Sequence, residues 1–257
     1  MDISEKGICR LSIVPVRVEG NDRAEVVTQM LFGDHYEVLQ IETNWLKIKI
    51  YFDGYEGWID SKQHYQISEA YFNQINNSDY KVCTDLTSSI LFNKHRINIV
   101  LGSILPISTN EIFKVEEQLA FNGEAKSLSQ RRDFEFVKQI AAQYLNTPYL
   151  WGGRSPFGID CSGFVQNVFR ISGYKLPRDA YQQATIGEAV ESIMPGDLAF
   201  FAKDAKIDHV GICLGEGEII HASGKVRVDK IGEGGIKHAD SGQLTHKLHS
   251  VRRILKH

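Results

Sequence analysis

The sequence predicts an α+β fold, in which β-rich units come first and are followed by helices and then by an antiparallel sheet. The first part, to about residue 125, contains short strand-like segments separated by turns. Two helical patterns follow between about residues 134 and 171, and the strand-like segments after them are joined by short connections. Helices that precede an antiparallel sheet, instead of alternating with its strands, are typical of the α+β class.

Residues 1–126 predict two small β-barrels. Apolar Leu or Ile alternates with Lys over residues 46–50, which indicates a strand with one buried face. Asp53-Gly54 predicts a turn that leads into another strand. A second, weaker series of strand-like segments lies at residues 88–105, and residues 112–116 form its last member. Because several short strands with frequent turns favour small barrels, we predict one β domain at residues 1–68 and a second at residues 69–126.

Residues 127–257 predict helices first and strands afterwards. An apolar stripe at helical spacing predicts a helix that stops before Pro148; its members are Phe134, Val137, Ile140, Ala141, Tyr144 and Leu145. A second helix is predicted from about Asp160 to Ile171, followed by Gly173, a residue type that suits the position after a helix end. Strands are predicted at residues 198–201, 209–214, 218–223 and 250–255.

The overall charge and hydropathy exclude several kinds of partner. The net charge of −3 gives no global field that would favour nucleic acid or an anionic membrane. No apolar run approaches the ~20 residues needed to span a bilayer. The first residues lack a basic region followed by an apolar stretch. We therefore expect a cytoplasmic monomer without nucleic-acid or membrane partners; a periplasmic or secreted protein whose signal had been removed would look the same.

The cysteines and the C-terminal histidines do not predict a metal site. No cysteine falls in a CxxC pair, which argues against zinc knuckles and redox dithiols, and the spacing does not suggest a disulfide framework. Three cysteines are expected to be small buried apolar residues: Cys9, Cys83 and Cys213. Three histidines lack a cysteine or carboxylate cluster that would complete a metal site, so we expect surface histidines and no metal or other cofactor: His238, His246 and His249.

Cys161 lies where the second helix is expected to begin, directly after the good capping residue Asp160. The free backbone N–H groups and the macrodipole at a helix N terminus favour a thiolate, which is the nucleophilic form of cysteine. Ser162 and Gly163 keep the first turn small enough for a substrate carbonyl to approach. The helix alone leaves an alternative open, because Cys161 also belongs to the apolar stripe with Val165 and Val168.

Two histidines on neighbouring predicted strands favour the catalytic alternative. A cysteine nucleophile needs a base, and the base needs a polar group that orients it. His209 is expected to open one strand and His221 to close the next, across the short connection Gly215–Gly217. If the turn is centred on Glu216, His221 lies opposite Gly211 and the two imidazoles share a face of the sheet. A register shifted by one residue would place them on opposite faces, and the sequence does not decide between the two.

A tetrahedral intermediate would also need preorganised donors for its oxyanion. The backbone N–H of Cys161 is the first candidate. The phenol of Tyr149 is a second candidate, although an ordinary packed tyrosine would explain this residue equally well.

Taken together, the ordered motifs of residues 130–257 resemble those of the NlpC/p60 cysteine peptidases. The motifs are Pro148–Arg154, Gly158–Phe164, Leu176–Asp179, Pro195–Leu198, Asp208–Ile212 and Ile220–Gly224. The resemblance implies a papain-like catalytic domain at residues 127–257 that cleaves peptide bonds in bacterial cell-wall stem peptides. It also implies a triad of Cys161, His209 and His221.

The N-terminal part narrows this resemblance. Residues 24–34 and 53–58 resemble bacterial SH3-like domains, and with residues 178–182 they are similar to the γ-D-glutamyl-L-diamino acid endopeptidases of dipeptidyl-peptidase VI type. The resemblance implies a muropeptide substrate with a free N-terminal L-Ala, cleaved between γ-D-Glu and the diamino acid, in cell-wall turnover or recycling. It also implies six substrate-binding residues: Glu25, Tyr55, Asp160, Ser162, Arg178 and Asp179.

Two other functions stay open at this point. An NlpC-like amidase or acyltransferase could act on another amide or ester bond. A non-catalytic protein could bind the cell wall through its SH3-like domains, because a fold does not by itself determine a function.

Overall fold

A computed structural model describes residues 5–108 and 119–255, which fall into two units. The N-terminal unit comprises residues 1–130 with 152–156, and the C-terminal unit comprises residues 131–151 with 157–257. The strand expected at residues 112–116 lies outside the described residues. Among the residues that the structure describes, no helix is long and apolar enough to cross a bilayer. The domain boundaries after residues 68 and 126 stay predictions.

The first seven strands of the N-terminal unit form one antiparallel sheet. They are β1 (Lys6–Ile8), β2 (Ile13–Arg17), β3 (Val26–Leu31), β4 (His35–Glu42), β5 (Trp45–Ile50), β6 (Glu56–Asp60) and β7 (Gln66–Ile67), with a 3-10 turn at Ser61–Gln63. Their order in the sheet is β3-β2-β6-β5-β4-β1-β7. Leu46, Ile48 and Ile50 of β5 are buried, and the lysines between them are not, which confirms the predicted alternation.

The rest of the N-terminal unit adds one helix and two small sheets. Its elements are α1 (Glu69–Asn77), β8 (Tyr80–Cys83), β9 (Thr87–Phe92), β10 (His95–Val100), β11 (Ile104–Ser108), β12 (Leu119–Phe121), β13 (Ala125–Ser127) and β14 (Arg154–Ser155). The sheets have the orders β10-β9-β12 and β11-β8-β13. The expectation of strands alone missed α1, although Ser68 caps it and its buried side chains Tyr71, Phe72 and Ile75 follow helical spacing.

The C-terminal unit combines three helices with a large sheet. Its elements are α2 (Phe134–Gln143), β15 (Gly158–Ile159), α3 (Cys161–Ile171), α4 (Ala180–Gln183), β16 (Glu188–Ala189), β17 (Leu198–Lys203), β18 (Lys206–Gly215), β19 (Glu218–Ser223), β20 (Lys225–Gly232), β21 (Gly235–Lys237) and β22 (Leu244–Arg253). The sheet order is β16-β22-β17-β18-β19-β20-β21. Strand β22 also pairs with β21, so the strands from β17 to β22 close on themselves. This arrangement confirms the α+β class.

The hairpin of β18 and β19 has the register that brings both predicted histidines to one face. Gly211 lies opposite His221, as expected for a turn centred on Glu216, which adopts a positive φ of 51°. Strand β18 begins at Lys206, three residues earlier than predicted, so His209 lies inside the strand and does not open it. Helix α3 packs against both strands of this hairpin.

Candidate active site

Cys161 is the first residue of α3, as its sequence context predicts. Asp160 precedes the helix in an extended conformation, and its Oδ1 accepts a hydrogen bond of 2.7 Å from the backbone N–H of Gly163. The Cys161 side chain is buried, and its Sγ lies 3.8 Å from the carbonyl oxygen of Asp208, the residue before His209. The thiol therefore faces the strand that carries the predicted base.

Burial controls the protonation of this thiol. Burial, followed by the nearby charge of Asp160, raises the pKa of Cys161 to about 12, although backbone hydrogen bonds from Val210 and Ser162 act in the opposite direction. At neutral pH the thiol therefore keeps its proton before substrate binds. The attacking thiolate has to be formed by proton transfer to a base during the reaction.

The two predicted histidines are in direct contact. Nε2 of His209 lies 2.7 Å from Nδ1 of His221, and both side chains are buried. Burial lowers the pKa of His209 well below its usual value, and it lowers the pKa of His221 to about 4 even though Asp229 acts in the opposite direction. Both imidazoles are therefore neutral at pH 7, so each carries one N–H and one acceptor nitrogen.

A carboxylate on β20 extends this contact and was not predicted. Nε2 of His221 lies 3.0 Å from Oδ2 of Asp229, a buried residue. Oδ1 of Asp229 accepts hydrogen bonds from the backbone N–H of Ala239 at 2.7 Å and from Arg227 at 2.9 Å. Burial opposes the ionisation of Asp229, but these donors and His221 outweigh it and lower its pKa. The sequence signal that could have indicated Asp229 is the strand-like run Val226–Asp229, which follows His221 closely.

His246 was expected at the surface, and that expectation is wrong. Its imidazole is half-buried and stacks on His209 with ring centres 4.1 Å apart and an angle of 20° between the planes. Phe201 contacts the same ring edge-on, with ring centres 6.0 Å apart. The physical reason is the closure of the sheet: β22 pairs with β17 and β21 and carries His246 to the hairpin. The sequence places His246 far from His209 and gave no sign of this closure.

The three imidazoles of His209, His221 and His246 place nitrogen atoms within 4.8 Å of one another. A metal ion binds in the plane of each imidazole, about 2 Å from the nitrogen. The stacked rings of His209 and His246 lie in nearly parallel planes, with 20° between them. These two planes cross much farther than 2 Å from either ring. This arrangement therefore does not present both rings to a single ion.

A buried ion pair holds the residues that flank Cys161. Arg178 donates from Nη1 to Oδ1 of Asp160 at 3.0 Å and to Oγ of Ser162 at 2.9 Å, and from Nη2 to Oδ2 of Asp160 at 2.5 Å. The guanidinium thus fixes the capping carboxylate at the start of α3. The structure brings these three predicted substrate-binding residues together beside Cys161, and their part in substrate binding stays a prediction.

The other predicted site residues are distributed over both units. In the C-terminal unit, burial and then the charge of Cys161 raise the pKa of Tyr149, so its phenol stays protonated and able to donate. Asp179 precedes α4, and its backbone N–H donates to Oε1 of Gln182 at 3.2 Å. In the N-terminal unit, Glu25 is exposed and Tyr55 is half-buried. Substrate contacts of these four residues stay predictions.

The arrangement can carry out acyl transfer through a thiol. A neutral imidazole on the strand that the neutral thiol faces can act as general base and later return the proton to a leaving amine. The N–H of Cys161 has no acceptor within its own helix, because the first turn of a helix lacks such acceptors. It can therefore donate to the oxyanion that forms when the thiolate attacks a carbonyl.

Two family models match the chain. Residues 146–245 match the NlpC/P60 family, and residues 16–63 match the bacterial dipeptidyl-peptidase SH3 domain. The first region contains Cys161, His209 and His221, and the second contains Glu25 and Tyr55.

Curated relatives extend over most of the chain. The γ-D-glutamyl-L-lysine dipeptidyl-peptidase of Bacillus subtilis (strain 168) is 31% identical over 219 residues, which cover 77% of this chain and 72% of that protein. The dipeptidyl-peptidase 6 of Lysinibacillus sphaericus is 29% identical over 226 residues, which cover 78% of this chain and 81% of that protein.

Solved structures show the same fold. An NlpC/P60 family protein from Bacillus cereus ATCC 10987 superposes with a TM-score of 0.80 over 96% of this chain and 99% of that chain. Since the two are 20% identical, this similarity concerns the fold alone.

Proposed function

Because the chain belongs to the NlpC/P60 family of cysteine peptidases, we propose that it hydrolyses the γ-D-Glu–diamino acid bond of cell-wall muropeptides that have a free N-terminal L-Ala. The observation that carries the chemistry is the buried thiol of Cys161, which faces the strand of His209 while His209 contacts His221 at 2.7 Å. The substrate is inferred from relatives named γ-D-glutamyl-L-lysine dipeptidyl-peptidase.

The reaction would proceed in two halves. His209 takes the proton of Cys161 as Sγ attacks the γ-carbonyl carbon of D-Glu, and the N–H of Cys161 stabilises the oxyanion. His209 then gives the proton to the amine of the diamino acid, which leaves, and L-Ala-γ-D-Glu stays on Sγ as a thioester. In the second half His209 removes a proton from water, the hydroxide attacks the thioester, and the proton returns to Cys161 as the dipeptide leaves.

Selection of a free N terminus would need anionic groups close to it, because the α-amino group is a cation. The candidates are the predicted carboxylates Asp179 and Glu25, with Tyr55 as a further polar contact. Loss of either carboxylate would then raise KM for a free peptide more than for an N-acetylated one.

A peptide panel tests this proposal. The protein is incubated with L-Ala-γ-D-Glu-L-Lys, with the corresponding meso-diaminopimelate tripeptide, and with N-acetylated forms of both, and products are followed by mass spectrometry. We expect L-Ala-γ-D-Glu from at least one free tripeptide, little from the acetylated forms, and none with Cys161→Ala. Failure to cleave either free tripeptide with Cys161 reduced would refute the proposed substrate.

The same panel, together with a sedimentation assay for binding to sacculi, separates the alternatives. Equal cleavage of free and acetylated peptides would indicate an NlpC-like hydrolase without amine selection. Tight binding to sacculi without cleavage of any peptide would indicate a binding protein. A role in muropeptide recycling in the cytoplasm stays a prediction, and cell fractionation with an antibody against the protein tests it.

A further inference from the structure

Asp229 ends a chain of hydrogen-bonded groups that begins at His209, on the strand that the thiol of Cys161 faces. The chain runs from His209 to His221 at 2.7 Å and from His221 to Asp229 at 3.0 Å. We propose that Asp229 is a positioning residue that fixes the tautomers of His221 and His209, and thereby leaves Nδ1 of His209 as the base for Cys161. This inference rests on the proposed catalytic roles of Cys161 and His209.

The first step concerns the contact between Asp229 and His221. An ionised carboxylate can only accept hydrogen bonds. Asp229 is kept ionised by Arg227, whose Nη2 donates to Oδ1 at 2.9 Å and whose Nε lies 2.9 Å from Oδ2, and by the N–H of Ala239. Nε2 of His221, 3.0 Å from Oδ2, must therefore carry the hydrogen.

The second step passes the constraint to His209. A neutral imidazole has one N–H, so a hydrogen on Nε2 of His221 leaves its Nδ1 as an acceptor. The 2.7 Å contact then requires Nε2 of His209 to donate. The hydrogen of His209 is thus assigned to Nε2, and the lone pair of Nδ1 is available to receive the proton of Cys161.

The opposite assignment would keep the same contact but would disable the base. If Nδ1 of His221 donated to Nε2 of His209, the single hydrogen of His209 would lie on Nδ1. That nitrogen could not accept a proton from the thiol of Cys161. The contact between the histidines permits both assignments, and the carboxylate of Asp229 is the group that favours one of them.

Asp229→Asn is the most informative variant, because the structure predicts how the amide would be oriented. The amide oxygen should occupy the place of Oδ1, where Ala239 and Arg227 both donate. The amide NH2 would then face Nε2 of His221 and donate to it. This orientation requires the opposite tautomer of His221 and hence of His209. In a serine–histidine–aspartate triad the same change lowers kcat by about 10⁴-fold; because Asp229 acts through one further residue, we expect a loss of about 10²- to 10³-fold here.

The experiment combines two measurements on the full chain labelled with 15N-histidine. Two-bond proton–nitrogen correlation spectra assign the protonated nitrogen of His209 and His221 at pH 7.5. The rate of alkylation of Cys161 by iodoacetamide reports on the base without any peptide substrate. Asp240→Asn is the matched control, because Asp240 is exposed and lies 3.8 Å from the same Arg227.

We expect hydrogen on Nε2 of both histidines in the unaltered protein and in Asp240→Asn. In Asp229→Asn we expect hydrogen on Nδ1 of both, slower alkylation, and a fall in kcat with a KM within about threefold. A hydrogen on Nδ1 of His209 in the unaltered protein would overturn the proposal even if the variant failed to fold. So would a folded Asp229→Asn protein with unchanged tautomers or unchanged alkylation.

These readouts also separate this inference from the proposed function. If the tautomers and the alkylation rates behave as expected but no tripeptide is cleaved, the substrate assignment fails and the role of Asp229 stands. If tripeptides are cleaved but the tautomers of the unaltered protein are reversed, the role of Asp229 fails and the substrate assignment stands.

Discussion

The burial of His221 predicts that the C-terminal unit loses stability in acid. Burial lowers the pKa of this imidazole from its usual 6.5 to about 4. Below pH 6.5 the unfolded chain binds a proton at this position, while the folded protein does so only below about pH 4. The folded state therefore has its full stability above pH 6.5, where the imidazole is neutral in both states. It loses stability as the pH falls from 6.5 towards 4, because only the unfolded chain binds the proton in that range.

The size of the effect follows from the two pKa values. A pKa of about 4 in place of 6.5 corresponds to about 3 kcal/mol in total. Proton linkage gives a loss of about 2.5 kcal/mol between pH 7.5 and pH 4.5 from this group. His221→Gln removes the titrating group, so the variant should lose about 2.5 kcal/mol less stability over that interval than the unaltered protein.

The assay uses a buried thiol of the same unit as its reporter. Cys213 lies fully buried in β18, so it reacts with a thiol reagent only when this unit opens. Urea unfolding is followed by pulses of 4,4′-dithiodipyridine, which reacts with thiols in acid, and labelling of the Cys213 peptide is measured by mass spectrometry at pH 7.5 and pH 4.5. His249→Gln is the control, because His249 is exposed.

The two variants should differ in how much stability they lose in acid. The His249→Gln protein should lose as much stability in acid as the unaltered protein. If the His221→Gln protein also does so, the buried imidazole does not carry the acid sensitivity of this unit, and its pKa is not lowered as its burial predicts.

Three further predictions follow from the same unit. In Asp229→Asn, where His209 should no longer accept the thiol proton, alkylation of Cys161 by iodoacetamide should become faster from pH 6 to pH 9 without a plateau, because burial raises the thiol pKa to about 12. Gly211→Ala should lower kcat by at least about tenfold and stability by about 1–3 kcal/mol, because an added Cβ would lie 2.9 Å from Cβ of His221. Arg178→Met should lower the free energy of unfolding by about 3–5 kcal/mol in urea, because it leaves Asp160 buried without its ion pair.

Each of these predictions has a contradicting outcome. An alkylation rate already maximal at pH 6 would show a preformed thiolate. Gly232→Ala is the control for Gly211→Ala, because an added Cβ at Gly232 would have open space around it; equal kcat values in the two variants would contradict the packing argument. A stability loss below about 1 kcal/mol in Arg178→Met would show that Asp160 does not depend on its partner.

Local features of the site could be predicted from the sequence because their causes are local. The start of α3 depends on the capping of Gly163 by Asp160. The hairpin that carries His209 and His221 was predicted from its short turn, but the sequence left two registers open, and only one of them brings the histidines into contact. The turn residue Glu216 lies at the predicted centre of that hairpin, and the alternative register does not occur.

Asp229 and His246 could not be predicted in the same way, because their positions depend on long-range pairing. Asp229 reaches His221 since β20 pairs with β19, and the sequence pattern did not predict β20 as a strand. His246 reaches His209 since β22 pairs with β17 and β21 and closes the sheet. No spacing along the chain encodes that closure directly.

We propose that Cys161 forms a thioester with the L-Ala-γ-D-Glu part of a muropeptide. The most direct measurement is acid quenching of the protein during turnover of a free tripeptide, followed by proteolysis and mass spectrometry. We predict an L-Ala-γ-D-Glu acyl group on the peptide that contains Cys161, and neither adduct nor cleavage in Cys161→Ala. Cleavage that persists in Cys161→Ala, or an acyl group on another residue, would contradict the role of Cys161 as the nucleophile.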